Sequence, residues 1–190
     1  MDLSRAAFVA LVAAVAAVRF VELRLSKANQ QKLAAQGAVK APDPRFPAMV
    51  VLHAAVLAGA VAEVTLLARP FYPALAAAMG VLFLAANALR WWVIRTLGTH
   101  WNVQVMDSMR LGPVASGPYR WVRHPNYAAV FVEMFSLPLI HTAWITALAG
   151  SVAHAWVLRG RVAAEDAVLL ASPQYRAAMA GKPRFIPGLF

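Results

Sequence analysis

Three apolar runs, residues 3 to about 23, 48–67 and 74–94, each approach the roughly 20 residues that a helix needs to cross a bilayer. Inside lipid every backbone polar group must be satisfied within the protein, so such runs are restricted to helices. The rest of the chain agrees: 61% of its residues are hydrophobic, only 14% are charged, and the mean hydropathy is +0.60. An ordinary soluble domain is roughly half apolar. The chain is therefore read as an all-α, polytopic membrane protein. Its first run does not resemble a cleavable signal, because it starts at Asp2 and continues into Arg19, Glu22 and Arg24.

The connections supply the remaining architecture. Residues 24–46 are polar and basic and close with APDPRFP, which predicts an amphipathic helix and a turn on one membrane face. RPFYP at 69–73 is a tight turn that makes the second and third spans antiparallel neighbours. His53 and Glu63 are ionisable groups inside the second span, where snorkelling or a packed hydrogen bond is favoured over a catalytic role. Residues 127–140 and 142–158 then form two further apolar helices parted near Pro138 and His141, giving about five transmembrane helices with the last two as a hairpin. An amphipathic helix from about Arg161 to Leu170 and a proline-punctuated tail follow. Residues 1–190 make one integral membrane domain, with N-terminal helices in 1–95 and a functional core in 96–190.

The charge of +10 flanks apolar segments instead of forming a basic face, so it is a topology signal and not a nucleic-acid footprint. If the first helix starts outside, residues 19–45, 90–123 and 159 onward share one side, which the positive-inside rule makes cytoplasmic. Cysteine is absent, which removes thiolate metal sites and cysteine nucleophiles.

Between the third and fourth apolar helices lies a connection too long for a bundle of short loops and too rich in Trp, Val and Leu for disorder. It ends in GPYRWVRHPNY, 117–127, where Pro118 and Pro125 break continuous helix and predict an ordered loop entering a helix near Asn126. A juxtamembrane basic anchor is the plainer reading of Arg120, Arg123 and His124. On the C-terminal helix Arg161 and Glu165 stand one turn apart; spacing alone makes them a solvated pair, but they share a membrane side with the loop. A carboxylate near hydroxyl, amide and imidazole groups suits ribose hydroxyls or an ammonium, and an arginine suits an oxyanion. HExxH, Gly-rich phosphate loops and paired acid–base carboxylates are absent, which weakens hydrolase and nucleotide-triphosphate readings.

GPYRWVRHPNY, a helical hairpin, R-x-x-x-E and a tail of the form Y-R…P-R-F-I-P-G together resemble the isoprenylcysteine carboxyl methyltransferase family, over about residues 96–188. The resemblance implies S-adenosylmethionine as cofactor, enclosed at the cytoplasmic membrane edge by the loop and the C-terminal helix, with a lipid-side entrance for the acceptor. Carried over by matching positions, it implies cofactor contacts from Gln104, Leu111, Gly112, Pro113, Val114, Tyr119, His124, Pro125, Asn126, Tyr127 and Glu165, and a substrate-facing, catalytic Arg161. No metal is implied.

This chain departs from the family pattern at Ala129, where glycine is usual, and around the hairpin bend at 138–144. Bacterial members with HPNY…E…LPLIHTAW resemble those associated with type III polyketide synthases. Within that pattern Glu133 and His141 are placed to orient a hydroxyl acceptor, with packing or capping as the alternative. The resemblance implies direct methyl transfer to a carboxylate, phenol or pyrone oxygen of a lipophilic or prenylated acceptor in a bacterial cytoplasmic membrane. Phospholipid or amine N-methylation, an NADPH-dependent sterol-type reduction and a non-enzymatic membrane scaffold are the competing readings.

Overall fold

The computed structural model describes residues 2–108 and 111–186. Pro187 and Gly188, the end of the tail motif, lie outside the described residues. Six α-helices carry the fold: α1 (Leu3–Ala35), α2 (Phe46–Leu66), α3 (Pro73–Leu97), α4 (Pro125–Leu139), α5 (Trp144–Leu169) and α6 (Pro173–Met179). Two short strands, β1 (Val39–Lys40) and β2 (Met106–Asp107), pair antiparallel, with Val39 opposite Asp107.

Residues 24–35 do not form a separate helix, contrary to the break expected there. They extend α1 to 33 residues, about 50 Å. The change from apolar to polar composition marks where α1 leaves the apolar layer, but no Gly or Pro interrupts the helix until Gly37. There φ is +85°, and the Ala38 N–H donates to the Leu33 carbonyl at 3.0 Å, closing the helix end. The amphipathic helix expected at 161–170 is likewise the last part of α5, which runs on without a stop signal from Trp144.

Among the described residues three helices are long and apolar enough to span a membrane: Leu3–Ala35, Phe46–Leu66 and the helical stretch Pro73–His100. The sequence reading expected about five. At 15 residues α4 reaches about 22 Å, short of a hydrocarbon layer of about 30 Å, and α5 carries Arg159, Arg161, Glu165 and Asp166 in its second half.

Helix α4 packs on α3 and α5, and α5 also packs on α2. Gly150 permits that last approach, since a Cβ there would sit 2.6 Å from Val56 Cγ2. Apolar clusters fill the junctions, among them Val56 with Val130 and Met134, and Val15 with Phe83 and Leu137. Buried charges lock the same helices. The Glu22 carboxylate accepts from Arg90 at 2.9 and 2.7 Å and from Arg19 at 2.6 Å, while Arg19 also donates to Glu133 at 2.6 Å. Two arginines thus meet two glutamates between α1, α3 and α4, which offsets a desolvation cost of several kcal/mol per unpaired ion.

Glu63 has a structural task as well. It accepts from the Ile145 and Thr146 N–H groups at 3.1 and 2.7 Å, capping α5, and from Arg69 at 3.0 Å. The start of α1, the α2–α3 turn and the α4–α5 turn therefore gather at one end of the bundle. The end of α1, both strands, the long connection and α6 gather at the other.

Candidate functional site at the polar end of the bundle

Polar residues in the extension of α1 set the path of the long connection. Asn29 donates to the Gly98 and Trp101 carbonyls at 3.2 and 2.8 Å, and Ser26 Oγ accepts from the Val103 N–H at 3.0 Å. Trp101, 1% exposed, packs against Val93 and Ile94 and seats the chain on α3. The Ala41 N–H donates to the Val105 carbonyl beside the strand pair, tying residues 36–45 to the same connection. A 3₁₀ turn at Gly117–Arg120 and the first turn of α4 then deliver the motif.

Gly117 has φ +55°, and an added Cβ there would lie 2.9 Å from Thr96 Cγ2 and closer still to its hydroxyl. Both constraints require glycine. Gly117→Ala is expected to destabilise the loop by about 1–3 kcal/mol, read as a lower thermal midpoint. A midpoint equal to wild type would show that the turn relaxes freely.

Asp166 holds the motif in place. Its carboxylate accepts from His124 Nε2 at 2.9 Å, Arg123 at 3.1 Å and Arg184 at 2.9 Å. Burial would raise this carboxyl, but the hydrogen bond and charge of His124, with Arg184 and Arg123, outweigh it and hold the group below its ordinary value. The tail completes the strap: Arg123 N–H donates to the Pro183 carbonyl at 2.9 Å, His124 N–H to Arg184 at 2.8 Å, and the Lys182 ammonium to the Tyr119 carbonyl at 2.8 Å.

Glu165, next to Asp166, is rotated about 100° around the helix and meets a different partner. It accepts from the Tyr127 hydroxyl at 2.5 Å and lies 3.9 Å from His124 Nδ1. Because a carboxylate only accepts, the His124 Nε2 bonded to Asp166 carries hydrogen, and Nδ1 is the nitrogen turned toward Glu165. Arg161, one turn away, donates to the Val103 carbonyl at 2.7 Å, pairs with Asp43 at 3.1 Å and lies over the rings of Phe46 and Tyr127.

These groups line one cavity of about 430 Å³. Gln104, Gly112, Pro113, Val114, Tyr119, His124, Asn126, Tyr127, Arg161 and Glu165 all face it, although they span more than sixty positions of sequence. The cavity continues from this polar end between α1, α2 and α4, past Met49, Leu57 and Val130, where its walls are mostly apolar but include the paired Arg19, Glu22 and Arg90 and the histidines His53 and His154.

Four residues singled out by sequence do not line it. Leu111 is 42% exposed and borders a separate hollow beside Val39 and Val168. Pro125 is buried and starts α4, fixing the direction in which Asn126 and Tyr127 enter. Glu133 is taken up by Arg19. His141 is at the opposite end of the bundle, bonded to Ser4 at 3.0 Å and packed between Phe8 and Phe71, because the α4–α5 turn carries it away from the loop.

Sequence reasoning missed Asp166 and Asp43, whose partners are remote in sequence, and Tyr175 of α6, which also lines the cavity. The only signal was position: Asp43 belongs to APDPRFP, Tyr175 opens the Y-R tail motif, and Asp166 follows the glutamate of R-x-x-x-E. Burial and the Glu165 charge push the Tyr119 phenol well up, and burial with Glu165 and Asp166 does the same for Tyr175. Both therefore act as protonated hydroxyls at neutral pH.

Residues 76–171, from α3 to the end of α5, match the profile of the isoprenylcysteine carboxyl methyltransferase family. A Bacillus subtilis protein described as uncharacterized protein YpbQ is 30% identical over 162 residues, covering 84% of this chain and 94% of that protein. An uncharacterized Haemophilus influenzae protein is 26% identical over 158 residues, covering 83% and 91% respectively. The matched span contains the loop, Arg161 and Glu165, and it takes in just over half of the 190 residues. With three membrane-length helices beneath that loop, the chain belongs to the isoprenylcysteine carboxyl methyltransferase family of membrane methyltransferases.

Proposed function

We propose that the protein transfers a methyl group from S-adenosylmethionine to an oxygen of a lipophilic acceptor, with its site at the cytoplasmic edge of a bacterial membrane. The observation that carries this reading is the meeting of the RHPNY loop with Glu165 and Arg161 on one cavity, polar at its loop end and mostly apolar, apart from paired charges and two histidines, between the helices. Buried polar atoms in that wall have no protein partner: Asn126 Oδ1, Asn102 Oδ1, Tyr175 OH and Trp101 Nε1. Such atoms suit a ligand rich in hydroxyl, amine and carboxylate groups. Glu165 keeps one oxygen free of Tyr127 for a ribose hydroxyl or an ammonium, so the residues present fit the cofactor.

S-adenosylmethionine, when bound, supplies a methyl on a sulfonium already activated for displacement. What remains for the protein is to orient the acceptor oxygen and to exclude water. Tyr127 and Arg161, packed ring to guanidinium, stand where the polar and apolar parts of the cavity meet. The acceptor enters from the lipid and the cofactor from the aqueous side. Orientation rests on charge: Lys27, Lys32, Arg123 and Arg159 fall toward the site end, whereas Arg5 and Arg69 fall at the other. In this reading α4 and α5 complete five membrane-inserted helices.

Titration of detergent-purified protein with S-adenosylhomocysteine, and separately with NADPH, tests the assignment. Binding of the first in the micromolar range without the second is the expected result. Binding of NADPH alone, or of neither, overturns it in favour of a reductase or a scaffold.

A further inference from the structure

Deep in the cavity, two histidines belong to its wall, and each keeps at least one ring nitrogen without a protein partner. His154 of α5 is fully buried, both ring nitrogens lack a hydrogen bond, and it lines the cavity. His53 of α2 lies beside it, ring centroids 5.7 Å apart at 71°, and Phe131 of α4 stacks on the other side at 6.0 Å. His53 Nδ1 is 2.7 Å from the Met49 carbonyl, which only accepts, so Nδ1 carries a hydrogen, and Nε2 is the nitrogen that serves as acceptor in the neutral ring. A neutral imidazole at His154 has one donor and one acceptor, and both nitrogens are unpartnered.

The cavity's cations are, by contrast, already engaged. Four arginines line it: Arg161 is paired with Asp43, Arg90 with Glu22, Arg19 with Glu22 and Glu133, and Arg123 with Asp166. A carboxylate entering here would meet cations whose charge is already compensated, with the unpartnered Arg161 Nε as a donor left to receive it, and would add an uncompensated charge. A hydroxyl would complete the histidines, donating to His53 Nε2 and accepting from the N–H of His154.

We infer that His53 and His154 form an acceptor-selecting site that holds a protonated hydroxyl of a lipophilic substrate, so that the enzyme takes hydroxylated lipids in preference to carboxylates. The pair lies two turns from Arg161 along α5, about 10 Å toward the apolar end, and bonds the part of the acceptor that sits below the reacting region. It is a positioning site. Its place in a reaction rests on the methyltransferase reading, whereas the binding it predicts needs no cofactor.

Binding of 3-pentadecylphenol, its methyl ether and hexadecanoate is measured on the full chain in lipid nanodiscs without cofactor, with pentadecanol and its methyl ether in a parallel arm. Wild type is expected to hold at least one of the two hydroxyl compounds about tenfold more tightly than its ether, and more tightly than the carboxylate. The two arms separate a phenol from an aliphatic alcohol as the source of the hydroxyl. His154→Phe, which keeps the ring stack, and His53→Leu each erase the hydroxyl-over-ether preference, whereas His154→Gln retains it by restoring a donor and an acceptor. Retained S-adenosylhomocysteine binding in these variants reports an intact fold. Equal binding of hydroxyl and ether, a preference that survives both His154→Phe and His53→Leu, or tighter binding of hexadecanoate overturns the inference. If wild type fails to bind S-adenosylhomocysteine, the methyltransferase reading falls while the hydroxyl preference is still decided by its own measurement.

Discussion

Glu165→Gln is expected to weaken S-adenosylhomocysteine binding by about 30-fold or more, the loss that follows from exchanging charge-assisted hydrogen bonds for neutral ones at ~2 kcal/mol. The substitution preserves shape and still accepts the Tyr127 hydroxyl, so the thermal midpoint of the ligand-free protein should scarcely move. Tyr127→Phe, which frees Glu165 without neutralising it, should weaken binding less, because the carboxylate remains on the cavity wall. Isothermal titration of the two variants separates a direct ligand contact from a merely structural glutamate. Equal affinities for wild type and Glu165→Gln would remove Glu165 from the site.

The second large effect concerns stability, and it belongs to the adjacent residue. Asp166→Asn leaves the buried Arg123 and His124 facing an amide in place of a charge, and a loss of about 3–5 kcal/mol is expected for breaking such a buried pair. Arg184→Ala should cost less than about 1 kcal/mol, because that side chain is half exposed and its contribution is screened. The Asp166 carboxyl titrates below its ordinary value when folded, so its contribution is complete above about pH 4 and is lost as pH falls through the lower, folded value. Acid melts of wild type should show that loss, and Asp166→Asn should lack it. A variant whose midpoint matches wild type at neutral pH would show that the tail strap holds the loop without the carboxylate.

Neighbouring positions thus divide the work. One turn of helix separates Arg161 from Glu165, and a single step separates Glu165 from Asp166, yet one side chain faces the cavity and the other anchors the loop that closes it. Losses of ligand affinity at constant stability and losses of stability are therefore expected to map to different residues of the same helix turn.

Much of this protein is legible in its sequence. Apolar length located α1, α2 and α3, since a bilayer dictates about 20 residues of helix regardless of neighbours. Prolines located the motif loop, because Pro118 and Pro125 act on their own backbone. The loop, Gln104, Arg161 and Glu165 could also be named, and they do line one cavity.

Other features depend on which helix faces which. Polarity after Arg24 and Arg159 suggested new helices, but polarity reports solvent and not chain continuity, so α1 and α5 simply run on. His141 and Glu133 belong to the same short helical region as the motif, yet α4 carries one to the far end of the bundle and turns the other toward Arg19. His53 and His154, about a hundred positions apart, face each other because Gly150 lets α2 and α5 approach closely. By itself the sequence determined the membrane helices, the motif loop and the chemistry available to them, all consequences of local composition and backbone restriction. Tertiary packing alone decided which charges are neutralised in pairs and which polar groups face the cavity unpartnered, because those outcomes depend on contacts between helices that no local stretch encodes.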